Sequence, residues 1–408
     1  TTDQHVPHGV ASDVATFQSR DLSVRITRRQ QRDELPHLIE EYDLIAPTYH
    51  LEEPIGRGPT LERLLDYFEP ALDGHIPPNG YIYGASGVGK SALVWSLIRQ
   101  LATITTVSPT AIHTTTRVDT RRMPGFVYVD ALVSTSIFSI YRSILNQLVD
   151  EPIPSQGVPT EMLAERISDL LRGTAGAVIC IDHVDAPRTV DADAIIEMFR
   201  RLPNNTAWVA VGETEPSKTP LTQYTTAPIR VDPLREQVLI DIVMGRASRG
   251  LTSGAVDHPT ARKVVSWAAG DAHAALAALF IAADRAETAG RLSLTHADLQ
   301  AGCSAVPPDG VSLARVMTLP MNRQAVLRAL IELDAEARAS VGDATAALAG
   351  LDLSGSTIKR FLYELAEWGI LTRIQSPADH QPGRPPSRVE PNFPAPVFRR
   401  LYDLKQRT

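Results

Sequence analysis

Residues 81–101 read YIYGASGVGKSALVWSLIRQL, and three kinds of local order follow one another within them. Residues 81–83 are a short apolar run, as a buried strand requires. Residues 92–101 then place Leu93, Val94, Leu97, Ile98 and Leu101 at helical spacing. Between them GASGVGKS, Gly84 to Ser91, matches the eight-position pattern of a phosphate-binding loop. The order strand, glycine-rich loop, helix gives that pattern its meaning. The backbone N–H groups of Gly84, Ala85, Ser86, Gly87, Val88 and Gly89 turn inward around phosphates, and the positive helix N-terminus adds to the attraction. Lys90 is expected to reach the β and γ phosphates, and Ser91 to hold Mg2+. ATP or ADP with magnesium is the ligand this stretch implies.

A second stretch, VICIDHVD at residues 178–185, is an apolar run that ends on an acid. A strand of that kind delivers a carboxylate to the edge of a sheet, and Asp182 is the candidate magnesium acid. His183 follows at once, where a water-activating acid would be expected. A neutral imidazole is a weaker and differently shaped base than a carboxylate. His183 reads equally well as a partly buried polar residue at a sheet edge. Asp185 is the other candidate second acid, provided that its loop shifts to aim it at the γ-phosphate.

The rest of the chain arranges itself around these two stretches. YIYG, FVYVDAL, AVICID and AWVAVG read as strands, alternating with helical patterns between residues 41 and 232. That alternation implies an α/β fold with a parallel sheet covered on both faces. Residues 1–40 are polar, without sustained periodicity, and read as a flexible N-terminal arm. The Thr/Pro-rich segments 105–125 and 213–228 read as loops. From 233 to 303 the pattern is helical, as an all-α lid would be, and SAVPPDG supplies a linker at 304–310.

Residues 311–408 follow the order helix, helix, helix, strand, basic loop, strand. That is the order of a winged helix-turn-helix, whose third helix lies in a major groove while its wing follows the backbone. The third helix begins near Ser354 or Ser356, and Thr357, Lys359 and Arg360 lie off its apolar stripe. Glu364 and Glu367 share that polar face, which weakens the case for strong base reading. Arg373, Arg384 and Arg388 around the wing are candidate phosphate contacts on double-stranded DNA. A winged helix used for protein contacts remains open on these residues alone.

The chain of 408 residues has room for several cores, and its 40 basic and 47 acidic residues give a net charge of -7. That balance argues against a globally basic nucleic-acid coat and leaves a local patch possible. Two cysteines, Cys180 inside an apolar strand and Cys303, suggest reduced thiols. No stretch reaches the ~18 to 20 apolar residues of a membrane span, so no membrane association and a cytoplasmic location are expected.

With these residues placed, the chain from about residue 41 to its C-terminus resembles the archaeal origin-recognition and cell-division-control type of replication initiators. These are AAA+ ATPases with a C-terminal winged helix. The resemblance implies a P-loop domain with a five-stranded parallel sheet, and an adenine-side role for the box holding Gly56 and Arg57. It also implies origin-like DNA as a partner, with further copies or related initiator subunits and a replicative helicase as further candidates. The departures fall on hydrolysis. The family's aspartate–glutamate pair is Asp182–His183, and its sensor pair is replaced by GETEP, where Thr214 is the nearest equivalent. The loop expected to carry an arginine finger holds only Lys218, and His273 stands where the lid arginine is expected. Nucleotide binding with weak or absent hydrolysis follows, because a finger alone contributes ~10³ to 10⁵ in rate. The alternative reading is a P-loop winged-helix regulator of transcription or of a mobile element.

Overall fold

The computed structural model describes residues 37–51, 58–107, 112–114, 117–119, 123–151, 153–154, 156–375 and 387–406. The arm up to residue 36, Arg57 and Arg384 therefore lie outside the described residues. Nine strands are found among them: β1 (Gly80–Tyr83), β2 (Ile112–Thr114), β3 (Arg117–Asp119), β4 (Gly125–Asp130), β5 (Ala177–Asp182), β6 (Thr206–Gly212), β7 (Ile229–Arg230), β8 (Leu371–Gln375) and β9 (Ser387–Pro391). Five of them form one sheet in the order β4-β5-β6-β1-β7, and every pairing in it is parallel.

All six residues of β5 are buried, which is why its sequence is a continuous apolar run rather than an alternating one. Side chains still alternate between the two faces. Val178 and Cys180 pack with Phe68, Leu93 and Leu97 from the helices Gly58–Leu72 and Lys90–Val107. Ile179 and Ile181 pack with Ile140, Ile167 and Ile195 from the helices Ile137–Leu148, Thr160–Arg172 and Ala192–Arg200. The chain leaves β1 for β4 across two intervening strands, and a crevice opens at the carboxyl ends where the order reverses.

The loops differ from the expectation in one place. Residues 112–119 hold the antiparallel pair β2–β3 inside the stretch read as a loop. Its strands are three residues each, too short for an alternation to be read from sequence.

The lid and the C-terminal region share one continuous apolar cluster, from Leu239 and Phe280 through Val316 and Leu327 to Phe398. Residues 37–46 belong to it as well. Their backbone reaches the lid through Glu40 N–H to the Gly250 carbonyl at 2.9 Å and Leu38 N–H to Glu287 at 2.6 Å. The chain thus contacts the lid from residue 37, and the arm read over residues 1–40 ends in packed structure. In the C-terminal part, helices Met321–Leu330, Val341–Ala347 and Gly355–Glu367 precede the antiparallel hairpin β8–β9, a winged helix-turn-helix. Ser354 is the N-cap of its third helix and accepts from Thr357 N–H.

A buried carboxylate holds the last turn of the lid. Asp298 is 1 % exposed, accepts from both terminal nitrogens of Arg291, and closes a capping box with Thr295. The Arg291 bonds hold its carboxyl well below the usual carboxylate range. A depressed folded value means that the stabilisation is complete above ~4, the ordinary aspartate value, and is lost as pH falls toward the folded one. Asp298→Asn should therefore cost about 2 kcal/mol near neutral pH, discounted from the fully buried case because Arg291 is partly exposed. It should also flatten the acid limb of stability against pH, and thermal melts of both proteins from pH 7 to 3 measure both effects.

Candidate nucleotide-binding site

The loop Gly84–Ser91 lies between β1 and the helix starting at Lys90, as its sequence requires. Two of its glycines are demanded by the surroundings. A Cβ on Gly84 would stand 2.4 Å from the Val231 carbonyl oxygen. Gly87 has φ +71°, and a Cβ there would run into the carboxylate of Asp271, the N-cap of lid helix Ala272–Thr288. Ala272 N–H also donates to the Gly87 carbonyl at 3.1 Å, so the lid is fastened directly to the phosphate loop. Lys90 folds back on that loop, its Nζ donating to the carbonyls of Gly84 at 2.9 Å and Ala85 at 2.8 Å. Burial lowers its pKa, against the pull of Glu213, Asp182 and Asp185.

Strand register brings Asp130 beside Asp182 at the ends of β4 and β5. Asp182 is 1 % exposed, and both of its oxygens are engaged: Oδ1 accepts from His183 N–H at 2.8 Å, Oδ2 from Tyr128 O–H at 2.6 Å. His183 follows in the left-handed region, φ 58°, which swings its ring back across the strand ends. Nδ1 lies 3.0 Å from Asp130 and Nε2 lies 3.3 Å from the Ser91 hydroxyl. Burial disfavours charge on this ring, but the Asp182 carboxylate and the bond to Asp130 outweigh it and raise the pKa to about 9. At neutral pH His183 is an imidazolium, with no lone pair to take a proton from water. Asp185 is committed elsewhere, since its Oδ2 accepts from Glu213 N–H at 2.7 Å and Thr214 N–H at 2.6 Å. It shapes the turn after β6. Thr214 gives its carbonyl to the Tyr81 hydroxyl.

These groups line one cavity of about 610 Å³, within the range of small-molecule sites. Gly87, Lys90 and Ser91 form one wall, and Asp182, His183, Glu213 and Thr214 a second. Arg246 and the segment Pro47–Leu51 stand on a third side. Arg246 is 2 % exposed and donates to the carbonyls of Ala46 at 2.5 Å and Tyr49 at 3.0 Å, so it pins that segment to the lid. His273 also lines the cavity, but its Nε2 accepts from Leu313 N–H at 3.1 Å. Burial lowers its pKa, and the accepting nitrogen carries no proton. The lid position read as a sensor therefore fastens the C-terminal region to the lid as a neutral ring.

Asp130, Glu213 and Arg315 belong to this cavity and were not nominated from sequence. Asp130 carries the same signal as Asp182, an acid closing an apolar run. Glu213 stands directly after β6, 3.9 Å from Lys90 Nζ. Arg315 comes from the far end of the chain, and no local pattern marks it.

A family model described as AAA ATPase domain matches residues 53–210, which takes in the phosphate loop and Asp182. ORC1-type DNA replication protein 1 of Sulfurisphaera tokodaii is 25% identical over 308 residues, 71% of this chain and 72% of that one. ORC1-type DNA replication protein 5 of Halobacterium salinarum is 25% identical over 151 residues, 35% of this chain and 32% of that one. Among solved structures, the Aeropyrum pernix Orc1 protein in complex with DNA aligns with a TM-score of 0.60 at 20% identity. It covers 91% of this chain and 99% of that one. The chain is a divergent homologue of the ORC1-type DNA replication proteins. Its phosphate loop lies within the part that matches an AAA ATPase domain. No helix among the described residues is long and apolar enough to cross a membrane.

At the other end, Lys359 and Arg360 lie exposed on the third helix of the winged domain. Thr357 is spent largely on the cap, its hydroxyl 2.8 Å from that of Ser354. Glu364 takes up charge on this face, from Arg360 and from Arg323 of a neighbouring helix. It accepts from Arg323 at 2.8 Å and lies 3.5 Å from Arg360. Arg373 donates to Ser387 across the hairpin and lies over Tyr363, while Arg388 pairs with Glu390 at 3.0 Å.

The His183 pair has a direct signature. In nucleotide-free protein, its ring should lose a proton near pH 9 in a nuclear magnetic resonance titration, and Asp130→Asn should bring the midpoint down toward ~6.5. Because the folded pKa is the higher one, the pair's stabilisation is complete below ~6.5 and lost as pH rises through about 9. A wild-type midpoint near the ordinary value refutes the pairing.

Proposed function

We propose that the protein is an ATP- and DNA-binding protein of the replication-initiator type, which holds its nucleotide far longer than it hydrolyses it. The observation that carries this reading is the composition of one cavity. Its walls come from the phosphate loop, the lid at Ala272 and His273, and the C-terminal region from Asp309 to Arg315. A nucleotide there touches every part of the molecule whose relative placement matters for DNA binding.

Magnesium fits the donor set. Ser91 and Asp182 both present hard oxygens to the cavity, and each Asp182 oxygen keeps a second lone pair beyond its bond to the protein. Among the described residues no group of three His, Cys, Asp or Glu side chains forms a metal site. That agrees with an ion held by one or two protein groups, phosphates and water. When bound, the ion would neutralise phosphate charge. His183 stands on the Ser91 hydroxyl, so the imidazolium and the ion compete for one oxygen.

Slow hydrolysis follows from the chain's own groups. His183 is held between Asp130 and the Ser91 hydroxyl, Asp185 is bonded to two backbone N–H groups, and the segment Pro216–Tyr224 offers Lys218 as its one cation. Lys90 positions phosphates without activating water. For DNA, Lys359, Arg360 and Arg373 form the exposed basic face of the winged helix, and their contribution is to phosphates more than to base edges.

Fluorescence anisotropy should show ATP binding that Lys90→Ala weakens by roughly a hundredfold, the scale of losing charged hydrogen bonds. Single-turnover hydrolysis of the bound ATP should be slow, and a fast rate overturns that part of the reading. On duplex DNA, Arg360→Ala and Arg373→Ala should each reduce the slope of log affinity against log salt by about one. Footprinting across the source replicon should find protection at an origin; protection confined to promoters rejects the initiator assignment.

A further inference from the structure

Arg315 is the one cation that the C-terminal region brings to the cavity wall among the described residues. It lies on the short helix Leu313–Met317, half-buried, and its placement is fixed from two sides. The first residue of that helix donates its N–H to His273, which ties it to the lid. The guanidinium itself donates from Nη2 to the Trp368 carbonyl at 3.1 Å, at the end of the third winged helix. Glu213, whose charge is felt at Arg315, lines the same cavity and stands 3.9 Å from Lys90 Nζ. Lys90 is the group that meets β and γ phosphates, and Arg315 lines the same cavity as Lys90 and Glu213.

We propose that Arg315 is a nucleotide-binding residue: the winged-helix region delivers its guanidinium to the γ-phosphate, and the protein thereby distinguishes nucleoside triphosphate from diphosphate. The inference rests on the nucleotide reading of this cavity. His273, neutral and bonded to Leu313, anchors the helix that bears Arg315. A planar guanidinium presents several donors at once, so one bond to Trp368 leaves others for phosphate oxygens. Triphosphate and winged helix then hold the same side chain, and binding of one sets the position of the other.

The test uses the full chain and fluorescent ATP and ADP, each measured by anisotropy. Arg315→Gln should lose roughly ten- to a hundredfold in ATP affinity, while ADP affinity changes by less than about threefold. Arg315→Lys should recover part of the ATP preference. Arg188→Ala removes a different contact at the same junction, the guanidinium 4.0 Å over the Trp368 ring, and should leave the ATP/ADP ratio unchanged. Equal losses on both nucleotides, an unchanged ATP affinity in Arg315→Gln, or the same ratio shift in Arg188→Ala overturns the proposal. Lys90→Ala separates the two claims. If it binds both nucleotides as well as wild type, the nucleotide reading itself fails and Arg315 falls with it. If Lys90→Ala is impaired and Arg315→Gln keeps wild-type selectivity, only the Arg315 assignment fails.

Discussion

A parallel sheet covered on both faces has one place for polar chemistry, the carboxyl ends of its strands. Here that constraint sets Asp130 and Asp182 side by side at the ends of β4 and β5. Two adjacent carboxylates repel, and a half-buried position raises the cost of leaving them so. The imidazolium of His183 answers that cost. A left-handed backbone at a non-glycine residue costs on the order of 1 to 3 kcal/mol, and the contact with two carboxylates offsets it. The histidine is therefore an electrostatic partner of the acids more than a substitute for a missing one. Its second nitrogen, resting on Ser91, carries the same arrangement to the phosphate loop.

A second constraint comes from the continuous apolar cluster shared by lid and winged helix. Interiors packed at this density shift as units rather than deform. The C-terminal helix Ala395–Lys405 reinforces the union, since Arg400 bonds the Tyr42 hydroxyl at 2.5 Å and pairs with Asp284 of the lid at 3.2 Å. Lid and winged helix thus form one body, and it meets the sheet domain at few points. Two of them are the Gly87–Asp271 approach and the Arg188–Trp368 stack. A nucleotide between the two bodies lies at the joint.

What could be read from sequence was what is local. The phosphate loop, the strand ending on Asp182 and the third winged helix each declare themselves within about twenty residues, because periodicity and backbone geometry act at that range. β7 is two residues long and carries no periodicity to read, although it completes the sheet. Glu364 looked like an acid spoiling a basic face, and only the fold reveals Arg323 beside it. Asp185 lies three residues after Asp182, and only the fold reveals that the turn after β6 holds its Oδ2 through two backbone N–H groups. Arg315 is separated from the phosphate loop by most of the chain, and contacts at such separations are encoded only by the packing of whole bodies.

The altered positions are coupled through these bodies. A lid arginine would bring the lid to the phosphate and leave the winged helix to follow by packing alone. With His273 neutral and bonded to Leu313, the lid grips the helix bearing Arg315, which lines the cavity together with Arg246 of the lid. Fast hydrolysis would end such a linkage soon after it formed. His183 and Asp185 are each held by the protein itself, by Asp130 and by two backbone N–H groups, and the slow-hydrolysis proposal rests on that arrangement. On the proposed reading, nucleotide occupancy rather than turnover sets the conformation, and lid and winged helix respond to it as one body.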